Sequence, residues 1–294
     1  MFDLRYHVAS LTAVFLALVI GILVGVGISD RGLVDSAKRS LLEQRVAQLQ
    51  HRLDQASQTS ALSQREQRAA QLYINETYPV LVHNRLRGKR IAVVFVGSVD
   101  NGIRSAIDRA LTDSGAIQAR LRALKVPMEL HALETRLSSA SSGDLRSYYG
   151  RGKLGALGQA LGDELVLGGD TPLWDALTDT LVEERVGGGR QPIDGVIVTR
   201  TASPQHGATS RFVLGLYEGL AAPGVPAVGV EPTDATKSAV DSYRSSGLSS
   251  VDDLDKTEGR LALVLLLAGA PPAQYGLKAT ADQPLPPFPV SGTR

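Results

Sequence analysis

Four acidic side chains fall within seven residues near the end of the chain: Asp252, Asp253, Asp255 and Glu258. A hard divalent cation wants several carboxylate or carbonyl oxygens at close range, and this is the densest set of such donors in the sequence. The spacing also fits a plainer role. Asp255 stands three residues before Glu258 and just ahead of the apolar run Leu261 to Ala270, as in a capping box, with the other acids near the positive end of the helix. Capping is the reading adopted here. Gly150-Arg151-Gly152-Lys153-Leu154-Gly155 matches G-x-G-x-x-G, but a dinucleotide site needs a strand directly before that motif, and residues 144–149 do not read as one. It is read as a chance match. Gly97-Ser98-Val99-Asp100-Asn101-Gly102 follows an apolar run and lies where an α/β sheet binds ligands, yet it lacks the Lys and Ser/Thr of a phosphate loop. A turn with a helix cap at Asp100 or Asn101 accounts for it. The five histidines, His7, His51, His83, His131 and His206, include no pair at i, i+2 or i, i+4 spacing. The absence of cysteine excludes disulfides, thiolate catalysis and thiolate metal sites. With no G-x-S-x-G or H-E-x-x-H either, the chain reads as non-catalytic, with no catalytic or cofactor-binding residue to name.

The elements that would position these groups alternate from Lys89 onward. Ile91 to Val96 is a continuous β-branched and apolar run, as in a parallel strand buried on both faces. Gly102 to Ser114 places Ile103, Ala106, Ile107, Ala110 and Leu111 on one helical face, and Ile193 to Thr199 repeats the strand pattern. A helix over Thr209 to Leu220, a strand over Ala227 to Val230 and a helix near Ala235 to Ser245 follow. The expected fold is therefore a layered α/β domain with a mainly parallel sheet over residues 89–278. Ser138 to Asp170 is rich in Gly and Ser and reads as a loop or irregular insertion around Trp174. Leu261 to Ala270 is apolar on every side but too short to span a bilayer, so it reads as a buried core helix. The Pro-rich tail 279–294 should be extended and exposed.

Upstream of this body, a short flank, residues 1–7, precedes a charge-free run from Val8 to Ile28 that would be roughly 31 Å long as a helix, close to a bilayer core. Residues 8–28, including Val8, Phe15, Gly21, Gly25 and Ile28, form the expected single transmembrane anchor. A cleaved signal peptide would carry a more basic start and a shorter apolar region. Gly21 and Gly25 make a G-x-x-x-G spacing that lets two membrane helices approach closely. Residues 33–78 then read as a helical coiled-coil stalk. Leu42, Val46, Leu49, Leu53 and Ala56 follow the four-three spacing of a self-pairing seam, which fails after Ala56 at Ser60, Ser63 and Gln67. The seam predicts a homodimer or higher oligomer; the alternative is one amphipathic helix lying on its own body domain. Arg31, Lys38, Arg39 and Arg45 after the span, against Arg5 before it, place the body in the cytoplasm by charge alone, a rule that weakens when a long domain follows. With 31 basic and 30 acidic residues and no compact basic block, nucleic acid is not an expected partner.

Leu4-Arg5-Tyr6-His7, then Ala13-Val14-Phe15-Leu16-Ala17-Leu18, a Gly-dotted membrane exit and a coiled-coil stretch resemble the start of actinobacterial copper transporter family proteins. The similarity resumes at Val251-Asp252-Asp253-Leu254-Asp255, at Glu258-Gly259-Arg260-Leu261-Ala262-Leu263-Val264 and at Gln274-Tyr275-Gly276-Leu277-Lys278. The resemblance implies a single-pass cell-envelope protein with its body outside the cytoplasm, a role in copper efflux and homeostasis, and copper as a cofactor or cargo. It also implies, for relatives linked to cell separation, a protein partner such as a peptidoglycan hydrolase. The residues themselves speak against a strong copper(I) site. That ion wants soft sulfur ligands, and the chain offers Met1 and Met128 alone. His51 and His83 of several paired stalks are the remaining route, leaving the metal ligands open.

Overall fold

The computed structural model describes residues 4–29, 33–139, 145–188 and 190–288. The chain divides into two compact units, Met1–Gln71 and Leu72–Arg294.

In the first unit, α1 (Leu4–Ser29) contains a stretch, Tyr6–Val26, long and apolar enough to cross a membrane. Two of its hydroxyls bond within the helix, Thr12 Oγ1 donating to Val8 O at 2.6 Å and Ser10 Oγ to His7 O at 3.3 Å. That is what a lipid environment, which offers no water, requires. Val8, Phe15, Gly21 and Gly25 lie exposed on α1, and Ile28 falls in its last turn. Next comes α2 (Leu33–Val82), a 50-residue helix. It runs past Tyr78, where the sequence placed its end, and through Pro79. The missing Pro N–H removes one ladder bond, but the turn after it is held by burial of Tyr78 and Val82 in the body, and His83 N donates to Pro79 O at 3.1 Å.

The second unit therefore begins inside α2, at Leu72. Its centre is a seven-stranded sheet in the order β3-β2-β1-β4-β5-β6-β7. The strands are β1 (Arg90–Val96), β2 (Ile117–Leu124), β3 (Val182–Val186), β4 (Gly195–Arg200), β5 (Ala227–Val230), β6 (Ser249–Val251) and β7 (Gln274–Tyr275). Every pairing is parallel except that of β3 with β2 at one edge. β1 is buried on both faces from Ile91 onward, as its unbroken apolar run dictates. One face is covered by α3 (Asn101–Ser114), α9 (Thr257–Leu267) and the end of α2. The other is covered by α4 (Leu130–Ser138), α5 (Leu154–Leu167), α6 (Pro172–Leu181), α7 (Gly207–Ala221) and α8 (Val240–Ser245). The apolar run expected to be a core helix is α9, with Leu261 through Leu267 all buried.

Three expectations are corrected. The Gly-rich stretch 138–170 is not a loop throughout, since it contains α5. Two of its glycines, Gly158 and Gly162, are there for packing against α7. A Cβ on Gly158 would stand 2.1 Å from Phe212 O, and one on Gly215 would stand 2.0 Å from Gly155 O, so α5 and α7 lie backbone against backbone. Glycine's low helix propensity, which suggested a loop, is outweighed by this contact. The helix expected over 235–245 is only α8, because Glu231 accepts the backbone N–H of Ala239 at 2.8 Å and the hydroxyl of Ser238 at 2.8 Å, holding the preceding residues in a turn. The first part of the tail is exposed at 282–284, 287 and 288 as expected, but Pro286 is buried and the segment is pinned, Gln283 pairing with Tyr275 and Asp282 accepting the N–H of Gln274 at 3.0 Å. Residues 289–294 lie outside the described residues.

Candidate functional site at the carboxyl edge of the sheet

Parallel strands end together, so the loops leaving β1, β4, β5, β6 and β7 gather at one edge. β1 and β4 are neighbours whose following connections depart in opposite directions, α3 leading to β2 on one side and α7 to β5 on the other. Such a switch point leaves a crevice between the loops, the usual ligand position in open α/β sheets. The crevice begins at Gly97, whose φ of +118° suits glycine, and where a Cβ would stand 2.6 Å from Thr201 Oγ1 and 2.7 Å from Ala202 N. Val96 O accepts from both Thr201 N and Ala202 N, at 3.1 and 3.0 Å, and Thr201 Oγ1 donates to Ser98 O at 2.7 Å. Asp100 is the cap of α3, its carboxylate accepting from Ile103 N at 2.9 Å. The turn-plus-cap reading of residues 97–102 thus stands.

A cleft of about 300 Å³ opens beside that cap, lined by Asp100, Gly102, Ile103, Ala106, Pro232, Asp234, Leu254 and Asp255. A second hollow of about 230 Å³ shares Asp100, Ile103 and Pro232 with it and is lined further by Arg200, Thr201, Ala202, Ser203, Ala235, Thr236 and Lys237. The first hollow is acidic and the second basic.

The acidic run beside the cleft divides its labour. Asp252 accepts from Leu277 N at 2.8 Å and from Lys278 N at 3.2 Å. Lys278 in turn reaches Glu231, Nζ to Oε1 at 2.6 Å, in a pair whose side chains are 19% and 5% exposed. The motif residues near 252 and 274–278 therefore clamp the ends of β5, β6 and β7 together. Asp255 does not cap α9, which corrects the capping-box expectation. The turn closed by Lys256 N to Asp253 O, 2.8 Å, starts the helix at Thr257 with Lys256 as its cap residue, and the Lys256 side chain makes no capping bond. Asp255 instead accepts from Thr233 N at 2.6 Å and Thr233 Oγ1 at 2.8 Å. Burial pushes its carboxyl up, but these two hydrogen bonds leave it, on balance, below the ordinary carboxylate range.

Asp253 is the anomaly. It is 0% exposed, neither carboxylate oxygen has a hydrogen-bond partner, and Oε2 of nearby Glu258 is likewise buried and unpartnered. Burial, followed by the neighbouring charges of Asp252, Glu258 and Asp255, pushes the Asp253 carboxyl up to about 7. Among the described residues no group of three or more His, Cys, Asp or Glu side chains is arranged to hold a metal ion. Met128, the one sulfur donor among them, is buried in the layer under α4, and Met1 lies outside them. His51 and His83 are exposed, the His83 ring lying 2.8 Å from the Asn84 amide.

The seam residues Leu42, Val46, Leu49, Leu53 and Ala56 all lie exposed on α2. Leu49 is 62% and Leu53 69% exposed, and with Val46, Gln50 and Asp54 they border a shallow apolar hollow. Sequence reasoning missed Arg200, Lys237 and Glu231, which are far apart in the chain and carry no shared spacing, and it gave Lys278 no role beyond the resemblance. It also missed Arg120 and Arg122, both fully buried in β2. Arg122 donates to Val186 O at 3.0 Å and lies 6.0 Å from the Trp174 ring, so it fastens β3 and α6 to the sheet edge. Burial, then the charges of Arg185 and Arg120, brings its guanidinium down to about 10.

No curated protein matches the chain. A family model described as "Copper transport outer membrane protein, MctB" matches residues 1–286, and with nearly the whole length covered, including α1, α2 and the sheet domain, the chain belongs to that family.

Proposed function

We propose that this protein is a tethered envelope component of copper efflux and homeostasis, non-catalytic, with its body outside the cytoplasm, acting through self-association and a protein partner rather than by holding copper(I) tightly itself. The observation that carries this reading is the donor set. Met128 is enclosed in the core, no metal-holding cluster exists among the described residues, and the exposed histidines are dispersed. Copper(I) selects sulfur, and the one sulfur among the described residues, that of Met128, is enclosed. One helix of spanning length fits a tether, whereas a helical transport path needs polar groups lined by several spans. Membership of the family supports the copper and outer-membrane connection.

A second reading is favoured by the bare apolar stripe on α2, which suits a scaffold that binds and activates a peptidoglycan hydrolase during cell separation. Deleting the gene separates the two. The expected result is increased sensitivity to copper salts, restored by the intact gene, with normal cell separation. Chained cells with unchanged copper tolerance would overturn the copper role and support the scaffold reading.

A further inference from the structure

The cleft at the β1/β4 switch point is not used by the tethering role, and its charges are laid out in two halves. Asp234 lines the hollow of about 300 Å³, and Lys237 lines the hollow of about 230 Å³ that adjoins it across Asp100, Ile103 and Pro232. Both Asp234 and Lys237 are exposed, and neither side chain has an ion pair or hydrogen bond among the described residues. A second, independent observation lies beneath. Thr199, next to the last residue of β4, is fully buried and its hydroxyl has no partner. It pairs with Phe95 and Val230, which belong to the α3/α9 layer, so it faces the side of the sheet on which Ile103 and Ala106 line the cleft.

Two ligand classes can be separated by chemistry. A phosphate would seek the N-terminus of α3, but the Asp100 carboxylate already accepts from Ile103 N there and would repel it. A bare metal ion would need converging donors, and no such group exists among the described residues. Separated charges of opposite sign, with hydroxyl and backbone groups between, match a small zwitterion. We infer that this cleft binds an amino acid or short peptide end, its ammonium at Asp234 and its carboxylate at Lys237, the Arg200 guanidinium being held against Lys237 O and Ser238 O and Asp255 against Thr233. A volume near 300 Å³ is at the lower end of small-molecule sites.

The test uses the full chain in detergent and the dipeptide Ala-Ala, titrated by calorimetry beside N-acetyl-Ala-Ala, Ala-Ala-amide and ADP. The expected result is saturable binding of Ala-Ala, weakened about tenfold by blocking either terminus, as loss of one charge-assisted contact predicts. Asp234→Asn should no longer distinguish the acetylated peptide, and Lys237→Met should no longer distinguish the amide. No saturation at millimolar Ala-Ala, equal binding of the blocked peptides, or ADP binding in preference to the dipeptide would each overturn the assignment. None of these outcomes bears on the copper role, which the gene deletion reads separately.

Discussion

Replacing Leu49 and Leu53 together by Asp should convert a fragment spanning residues 33–294 from an oligomer to a monomer. Both leucines are more than three-fifths exposed in the single chain, in a stripe shared with Leu42 and Val46. Leaving such a stripe in water forgoes roughly 1.5–3 kcal/mol per leucine that burial in a seam would recover. Two aspartates at the same positions would bring like charges together in a low-dielectric contact, a cost of about 3–5 kcal/mol, so the dimer should weaken by more than about a hundredfold. Light scattering of the two fragments at equal concentration reads this directly. An identical mass for both would remove the seam, leaving α2 as an unpaired helix.

Asp253→Asn should stabilise the protein in a pH-dependent way. The folded carboxyl titrates near 7, above the ordinary 3.8, so the fold prefers it protonated. Below about pH 4 the group is protonated folded and unfolded alike and makes no difference to stability. Between about pH 4 and 7 the unfolded chain ionises it freely while the fold resists, so stability falls as pH rises, and the full penalty holds above 7. Three units correspond to about 4 kcal/mol. Asparagine does not ionise, so its advantage over the native residue should grow by about that amount from pH 4 to pH 8. Urea unfolding of the full chain in detergent at both pH values measures the gap; one that does not change with pH would show that the Asp253 carboxyl ionises as readily in the fold as in the unfolded chain, contradicting the upward shift.

The sequence made the central strands legible because burial on both faces leaves no room for polar residues, as in Ile91 to Val96 and Ala227 to Val230. It made α9 legible for the same reason. The short outer strands β6 and β7 were not, since three and two residues carry too little periodicity to register. β2 was masked by Arg120 and Arg122, whose charges read as surface although both are buried against backbone carbonyls. α5 was masked by the glycines that α7 requires at 158 and 162. The Gly97 to Gly102 turn was found at its true place, yet the basic half of the cleft was not. Arg200 and Lys237 reach it only because β4 and β5 end beside β1, a consequence of strand order rather than of local pattern.

The most direct measurement is a copper(I) competition between the full-length protein and a strong chelator, under reducing conditions and in detergent. With Met128 enclosed and no clustered donors among the described residues, the chelator should retain the metal. The His51→Ala, His83→Ala double variant should then behave as the native chain does. Stoichiometric withdrawal of copper(I) by the native protein, lost in the double variant, would contradict this and make the paired stalks a copper-handling site.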